Sequence, residues 1–229
     1  MRYSFIAALL IVFVACNQQS ATQTDVKDSV SSESDAATER PASSTDTSTN
    51  IKTDTTTEAA FQANKLIVAG KSIGNIELGM DDSKLEMFGK PDMSDAAMGK
   101  AWLTWYGKKT DDHNNKTELN VYTAYKDTIM RSKTVQQIRS TSSFFETANG
   151  IHVYSSLNDI EKEFPGIKKA ATYTNEGRNI TVYDVQKRGI AFEVATANDQ
   201  QICTGIIIHK PGIKVTQVYI SLHPDMHVL

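Results

Sequence analysis

Two stretches of the 229-residue chain decide its fold, and they share one order of features. Residues 74–91 read GNIELGMDDSKLEMFGKP, and residues 150–166 read GIHVYSSLNDIEKEFPG. Each begins with a Gly and continues through a short apolar strand and a polar cap into one short amphipathic helix, which stops at Gly and Pro. This similarity between two parts of one chain predicts two related structural units.

The second stretch carries the clearer helical pattern. Leu157, Ile160 and Phe164 are spaced i, i+3 and i+7, so they share one face of a helix. Ser156, with Asp159 three places later, resembles a capping box. The sequence therefore predicts a short helix that begins after Ser156.

Strand patterns follow each helix. Aromatic and β-branched residues alternate with polar ones, as in a sheet with one solvated face. The turn-rich loops 111–115 and 196–200 favour antiparallel pairing. We therefore predict an α+β fold of two related units, 61–140 and 141–229, each with a short helical layer packed on an antiparallel β-sheet. The predicted strands are Ala101–Tyr106, Glu118–Tyr125, Thr134–Arg139, Asn179–Asp184, Gly189–Ala195 and Ile202–His209.

A family resemblance rests on the first stretch. The pattern Ile-x-Leu-Gly-Met at 76–80, followed by a capped helix and by Phe-Gly-x-Pro at 88–91, resembles the signature of the β-lactamase-inhibitory-protein-like fold. The small SmpA/OmlA outer-membrane lipoproteins of the barrel-assembly machinery share that fold, in which two units can occur in tandem. The resemblance covers Gly74 to about His209, and it implies protein–protein contact rather than catalysis.

The first 16 residues predict a signal peptide. Residues 5–14 (FIAALLIVFV) are apolar but too few to span a bilayer as a helix, and this length suits a signal peptide. Residues 13–16, Phe-Val-Ala-Cys, resemble the lipobox of bacterial lipoproteins, which implies lipidation of Cys16 by acyl chains such as palmitate. Asn17 is not the Asp linked to inner-membrane retention, so the outer membrane is favoured. The alternative is an ordinary secretory signal beside a Cys.

Residues 17–60 predict a disordered acidic tether. They contain 8 Ser and 10 Thr, no aromatic residue and no Gly, and eight acidic side chains oppose three basic ones. Such a segment cannot bury enough apolar surface to offset the entropy of ordering. Asp-Ser-Val at 28–30 and Asp-Thr-Thr at 54–56 also resemble a short bacterial O-glycosylation pattern, which leaves a modified tail as an alternative.

The charge of the chain argues against nucleic-acid binding. The formal net charge is −3, and residues 61–229 carry 20 basic and 19 acidic side chains. Nucleic-acid binding usually requires a strongly basic surface. We therefore expect no nucleic-acid partner.

Two motifs raise the question of catalysis or metal binding. Gly-x-Ser-x-Gly at 70–74 contains Ser72, but a hydrolase elbow must open a helix and the residues after Ser72 look extended. His223 and His227 have a metal-ligand spacing, yet Pro224 disfavours the helix that would bring them together. Cys203 lies among apolar residues and is predicted to be a buried thiol. The chain contains no HExxH, no CxxC and no Gly-rich phosphate loop, so we expect neither a metal nor a cofactor.

Aromatic residues supply the candidate binding surface. Trp102, Trp105, Tyr106, Tyr122 and Tyr125 are denser than aromatics elsewhere, and most are expected in the core. Exposed aromatics often anchor protein interfaces, and the candidates are Trp105, Tyr106 and Tyr125. The sequence thus predicts a lipid-anchored, non-catalytic protein-binding or assembly module of the bacterial cell envelope. The alternatives are a small-ligand-binding envelope domain and, least favoured, a serine hydrolase that uses Ser72.

Overall fold

The computed structural model describes residues 64–126, 129–197, 200–219 and 221–229. The predicted signal peptide with Cys16 and the predicted tether at 17–60 lie outside these residues. The described residues all fall within one compact unit. No helix in this described part of the chain has both the length and the apolar character needed to span a bilayer.

The two predicted helices form next to their capping residues. Helix α1 is a 3-10 helix, Asp82–Phe88, and the side chain of Asp81 caps its first turn. Helix α2 is an α-helix, Leu157–Glu163, and the Ser156 side chain accepts a hydrogen bond from the backbone N–H of Asp159. Each helix is seven residues long. Each therefore presents only about two turns to the core.

Nine strands of the described chain form one large sheet, and every neighbouring pair in it is antiparallel. They are β4 (Met93–Ala97), β5 (Lys100–Thr110), β6 (Lys116–Tyr125), β7 (Lys133–Ser140), β9 (Lys168–Asn175), β10 (Arg178–Val185), β11 (Ile190–Ala197), β12 (Gln200–His209) and β13 (His227–Val228). Their order is β13-β9-β10-β11-β12-β7-β6-β5-β4. Strands β4 to β7 and β9 to β12 thus form two meanders, which join where β7 pairs with β12.

A small sheet of four short strands lies among the segments before each meander. It consists of β1 (Leu66–Val68), β2 (Ser72–Ile73), β3 (Ile76–Glu77) and β8 (Glu146–Thr147). Its order is β3-β2-β1-β8, and β1 pairs with β8 in parallel. The small sheet thus connects the segment before α1 with the segment before α2.

The predicted α+β class is wrong, because the described residues are mostly β-structure. Their three helices, α1, α2 and α3 (Thr216–Tyr219), contain seven, seven and four residues. Helices this short cannot cover a nine-stranded sheet, so they do not form helical layers. The predicted separate sheets of 61–140 and 141–229 are also wrong, since their strands join in one sheet. All six predicted strands are present within β5, β6, β7, β10, β11 and β12.

The larger core fills the space between one face of the large sheet and a layer made of the small sheet, α1 and α2. Leu85 and Phe88 of α1 and Ile160 of α2 are buried in it. Strand residues of alternating position contribute the other side, including Ile206 and Ile208 of β12. Burial of this apolar surface is the main term that stabilises the fold.

The smaller core lies on the opposite face of the large sheet. Ile207, between the two isoleucines of the larger core, belongs to it. The C-terminal segment, which we define as residues 210–219 and 221–229, covers this face with Val215, Tyr219 and Met226. Trp102 ties the segment to β5, because its indole N–H donates to the Ser221 hydroxyl at 2.8 Å. Both faces at the centre of the large sheet are therefore covered.

Candidate functional site

The predicted interface residue Trp105 lies in the larger core. Its side chain is 6% exposed, and its indole N–H donates to the Gly89 carbonyl at 3.2 Å. Because side chains alternate along a strand, Trp105 and Trp102 lie on opposite faces of β5. Both faces are covered at this point, Trp105 by the larger core and Trp102 by the smaller core. Trp105 therefore offers no surface for a partner, and the hypothesis of an exposed aromatic anchor fails at this residue.

Tyr106 and Tyr125 are half-buried and lie beside the β4–β5 hairpin. The Tyr106 hydroxyl donates to Met93 Sδ at 2.9 Å, and Lys116 Nζ lies 4.1 Å from the centre of its ring. The Tyr125 ring covers Gly99, in the turn of the hairpin, so closely that no side chain would fit there. Gly99 also has a φ of 76°, a conformation that glycine adopts readily. The two tyrosines therefore support the hairpin from its two ends.

Strand β4 is the exposed edge that this hairpin presents. Among the described strands, its five residues, MSDAA, pair only with β5, and every one of them is exposed. An edge strand leaves half of its backbone N–H and C=O groups without a strand partner. Proteins usually protect such edges with Pro, Lys, a bulge or a covering segment. In β4 the one charged residue is Asp95, at the centre.

Exposed apolar side chains surround this edge. Met93, within β4, is 57% exposed, and Met98, in the turn, is 96% exposed. Methionine side chains are flexible and polarisable, and they are frequent on surfaces that adapt to different partners. The open edge thus combines unpaired backbone groups with adaptable apolar contacts, and we call β4 with Met98 the β4 edge.

The other edge of the large sheet is much shorter. Strand β13 contains two residues, His227 and Val228, and pairs with Ala171 and Thr172 of β9. This short strand interrupts the outer side of β9 (Lys168–Asn175) at its centre, whereas no described strand pairs with the outer side of β4. The β4 edge is therefore the better template for strand addition among the described strands.

A buried ion pair lies on the face covered by the C-terminal segment. Arg139 Nε and Nη2 donate to the two carboxylate oxygens of Glu193 at 2.6 and 2.9 Å. Arg139 Nη1 donates to Glu118 at 2.9 Å and to the Asn120 side chain at 2.7 Å, and the Tyr219 hydroxyl donates to Glu193. Burial by itself would lower the pKa of Arg139, but the charge of Glu193 raises it above its ordinary value. The charged groups thus satisfy one another.

The residues considered for catalysis are separated in the fold. Ser72 is 5% exposed in β2, where its strand pairs with β1 and β3, so the strand-to-helix elbow of a hydrolase does not form. Cys203 is buried, and burial raises the pKa of its thiol far above the ordinary value. The thiolate that reactive cysteines use is therefore disfavoured.

The two histidines considered as metal ligands also have different settings. The His223 ring stacks on Tyr173 with 4.1 Å between ring centres, whereas His227 lies in β13. Burial lowers the pKa of His223. Within the described residues, no group of three His, Cys, Asp or Glu side chains has the arrangement of a metal site.

Comparison with known proteins gives only distant similarity. No protein-family model matches the chain, and no curated protein matches its sequence. A cysteine-rich secretory protein from Staphylococcus aureus subsp. aureus Mu50 is similar in structure, with 10% identity and a TM-score of 0.40 over 74% of this chain and 52% of that one. A DUF4309 family protein (YjgB) from Bacillus subtilis subsp. subtilis str. 168 has 11% identity and a TM-score of 0.35 over 69% of this chain and 94% of that one.

The chain spans about half the length of the staphylococcal protein. Both structural similarities are too weak to support an argument about function.

Proposed function

We propose that this chain is a lipid-anchored cell-envelope protein whose folded part binds a protein partner without catalysis, by accepting an extended segment of the partner beside β4. The observation that carries the proposal is that all five residues of this edge strand are exposed. Addition of a strand pairs the free backbone groups of an edge, and pockets or charges beside it select the side chains of the partner.

The charge of Asp95 indicates the chemistry of the partner segment. If two copies of β4 paired antiparallel about their centres, Asp95 of one copy would face Asp95 of the other. Like charges directly opposite each other destabilise a strand pair, whereas opposite charges stabilise it. We therefore infer that the partner is a different chain, whose extended segment carries Lys or Arg at its centre. Its neighbouring apolar residues would contact Met93 and Met98.

The lipid anchor is proposed from the sequence before the described residues. Acylation of Cys16 would fix the chain to membrane lipid, because two or more acyl chains hold a protein stably whereas one does not. The acidic segment at 17–60 would then separate the folded part from the lipid surface, with the outer membrane as the favoured location. Radiolabelled palmitate should be incorporated into the wild-type chain and not into a Cys16→Ser variant. Label that survives in the variant would contradict the anchor.

The binding proposal is tested with peptides, since the partner is unidentified. Random decapeptides displayed on phage are selected against the full chain carrying Cys16→Ser, so that no lipid contributes. Selected peptides should carry Lys or Arg near the centre between apolar residues. Fluorescence anisotropy should show at least tenfold weaker binding to Asp95→Lys. The control variant is Asp112→Lys, which makes the same charge change at an exposed position of the β5–β6 loop and should bind normally.

Backbone pairing is tested separately from charge. N-methylation of alternate residues in a selected peptide removes the N–H donors along one of its edges. Strand addition predicts that one set of alternate positions abolishes binding and the other set has little effect. Binding that tolerates both sets, an equal loss in Asp112→Lys, or a failure to select any peptide would overturn the proposal.

A further inference from the structure

A cleft lined by cationic side chains lies beside β9 and β10, near the end of the large sheet that is opposite β4. It has a volume of about 650 Å³, and it opens between β9, β10 and the C-terminal segment. Its floor contains Ala170, Val185 and Thr216. Small-molecule sites commonly have volumes of this order. Five exposed cationic side chains line it, namely Lys168, Lys169, Lys187, Arg188 and Lys214.

No described side-chain carboxylate forms an ion pair with any of these five cations. The described ion pairs involve other basic residues, such as Lys65 with Glu146 and Arg178 with Glu176. Residues 61–229 carry 20 basic and 19 acidic side chains, so five cations at one cleft make it positive in a nearly neutral domain. Clefts lined by charges of one sign focus the electric field and attract ligands of the opposite sign.

The one carboxylate side chain in the lining is already engaged. Asp184 Oδ1 pairs with His209 Nε2 at 3.0 Å, and Asp184 Oδ2 accepts the backbone N–H of Val215 at 3.0 Å. Its side chain is 6% exposed. Asp184 therefore holds the C-terminal segment against β10 and β12, and both of its carboxylate oxygens are engaged away from the lysines of the cleft.

The kind of cation favours phosphate over other anions. Four of the five are lysines, which act as flexible point charges and commonly bind phosphate groups. The one arginine donates through Nη1 to the Glu163 carbonyl at 3.2 Å and lies 4.3 Å from the centre of the Phe164 ring, so its planar face and one N–H are in use. The fork of Arg188 is thus only partly free for the two parallel hydrogen bonds that arginine makes to a phosphate or a carboxylate, and the four lysines supply most of the binding. None of the described residues that line the cleft is aromatic, so a nucleobase would find no stacking surface among them.

We propose that this cleft binds a small ligand carrying two or more phosphate groups, either free in solution or as the headgroup of a lipid. Two phosphates supply enough negative charge to face several lysines at once. The apolar side chains of Ala170 and Val185 then contact the short organic part of the ligand. This site is independent of the β4 edge, and each proposal stands without the other.

The test measures binding of inorganic pyrophosphate to the full chain carrying Cys16→Ser by isothermal titration calorimetry at low ionic strength. Citrate, a tricarboxylate of similar charge, is the comparison anion. Lys168→Gln with Lys214→Gln removes one cation from each side of the cleft. Lys84→Gln with Lys90→Gln is the matched control, because both residues are exposed and neither lines the cleft. Circular dichroism confirms that both variants are folded.

Pyrophosphate should bind more tightly than citrate, and the cleft variant should weaken its binding at least tenfold while the control variant does not. Raising the salt concentration should weaken binding further. Sedimentation with vesicles of phosphatidylcholine, alone or mixed with cardiolipin, an anionic lipid that carries two phosphates, distinguishes the sources. Binding to the anionic vesicles that is lost in the cleft variant indicates a lipid headgroup, and pyrophosphate binding alone indicates a free ligand. Absence of both, equal affinity for citrate, or an equal loss in the control variant would overturn the proposal.

Discussion

Replacing Glu193 by Gln removes the charge that faces Arg139 while it nearly preserves the volume of the side chain, and we expect it to destabilise the fold strongly. Both oxygens of Glu193 contact the guanidinium, at 2.6 and 2.9 Å, and Glu193 is 1% exposed. Breaking such a buried pair from one side costs about 3–5 kcal/mol, because the remaining charge has lost its partner without gaining water. Glu118 remains 2.9 Å from Nη1, so the expected loss is about 3 kcal/mol.

The loss is measured by urea unfolding at neutral pH, with the m-value compared between variants so that a change in midpoint reports stability alone. A loss of about 3 kcal/mol corresponds to a decrease of roughly 6–12 °C in Tm for a domain of this size. The control is Glu176→Gln, because Glu176 pairs with Arg178 at 3.1 Å on the surface and such pairs contribute about 0–1 kcal/mol.

A double variant tests the reasoning about the remaining charge. Arg139→Met with Glu193→Leu removes both charges and fills the space with apolar atoms, so it should be more stable than either single variant. If Glu193→Gln loses no more stability than Glu176→Gln, the Arg139–Glu193 pair does not stabilise the fold as a buried ion pair would. The same conclusion follows if the double variant loses the sum of the two single losses, because residues in direct contact should not be additive.

Two further predictions concern the two cores. Burial lowers the pKa of His223 below 6.5, so the unfolded chain binds a proton there that the fold does not. The contribution of neutral His223 to the free energy of unfolding is therefore complete above about pH 6.5 and declines as the pH falls below that value. Urea unfolding at about pH 7.5 and about pH 5.5 should show a larger loss of stability in the wild type than in His223→Phe. Equal losses in the two proteins would contradict this prediction. Phe164 is 1% exposed, with its ring centre 5.1 Å from that of Phe192, so Phe164→Ala should cost about 3–5 kcal/mol in the same assay. A cost below about 1 kcal/mol would mean that Phe164 does not hold α2 on the sheet.

The strands that the sequence predicts share one property, because each has a β-branched or aromatic residue at alternating positions. Strand β4 was missed because MSDAA contains none, and it forms through pairing with β5 rather than through its own propensity. Strand β9, KKAATYTN, was missed for a related reason, since its first half is basic and small. The caps at Asp81 and Ser156 were predictable because capping is local.

The fold class and the edge were not predictable from these local patterns. Whether two meanders close separate sheets or share one depends on the pairing of β7 with β12, which joins residues far apart in sequence. An open edge is likewise a property of strand order. Tyr106 and Tyr125 were identified from aromatic density alone, and they lie beside the β4 edge, whereas Trp105 shares that density and is buried. Alternation assigns a residue to a face, but the topology decides whether that face is covered.

The junction between β7 and β12 has a consequence for how the chain is made. During synthesis β7 is made before β12, so the backbone groups on its outer side have no partner strand at first. The Arg139 guanidinium likewise lacks Glu193, which lies 54 positions later in the chain. Unpaired edges attract other chains during this interval. The second meander therefore supplies the partner strand that β7 needs, and a chain interrupted between the two meanders would expose β7 as a second long edge beside β4.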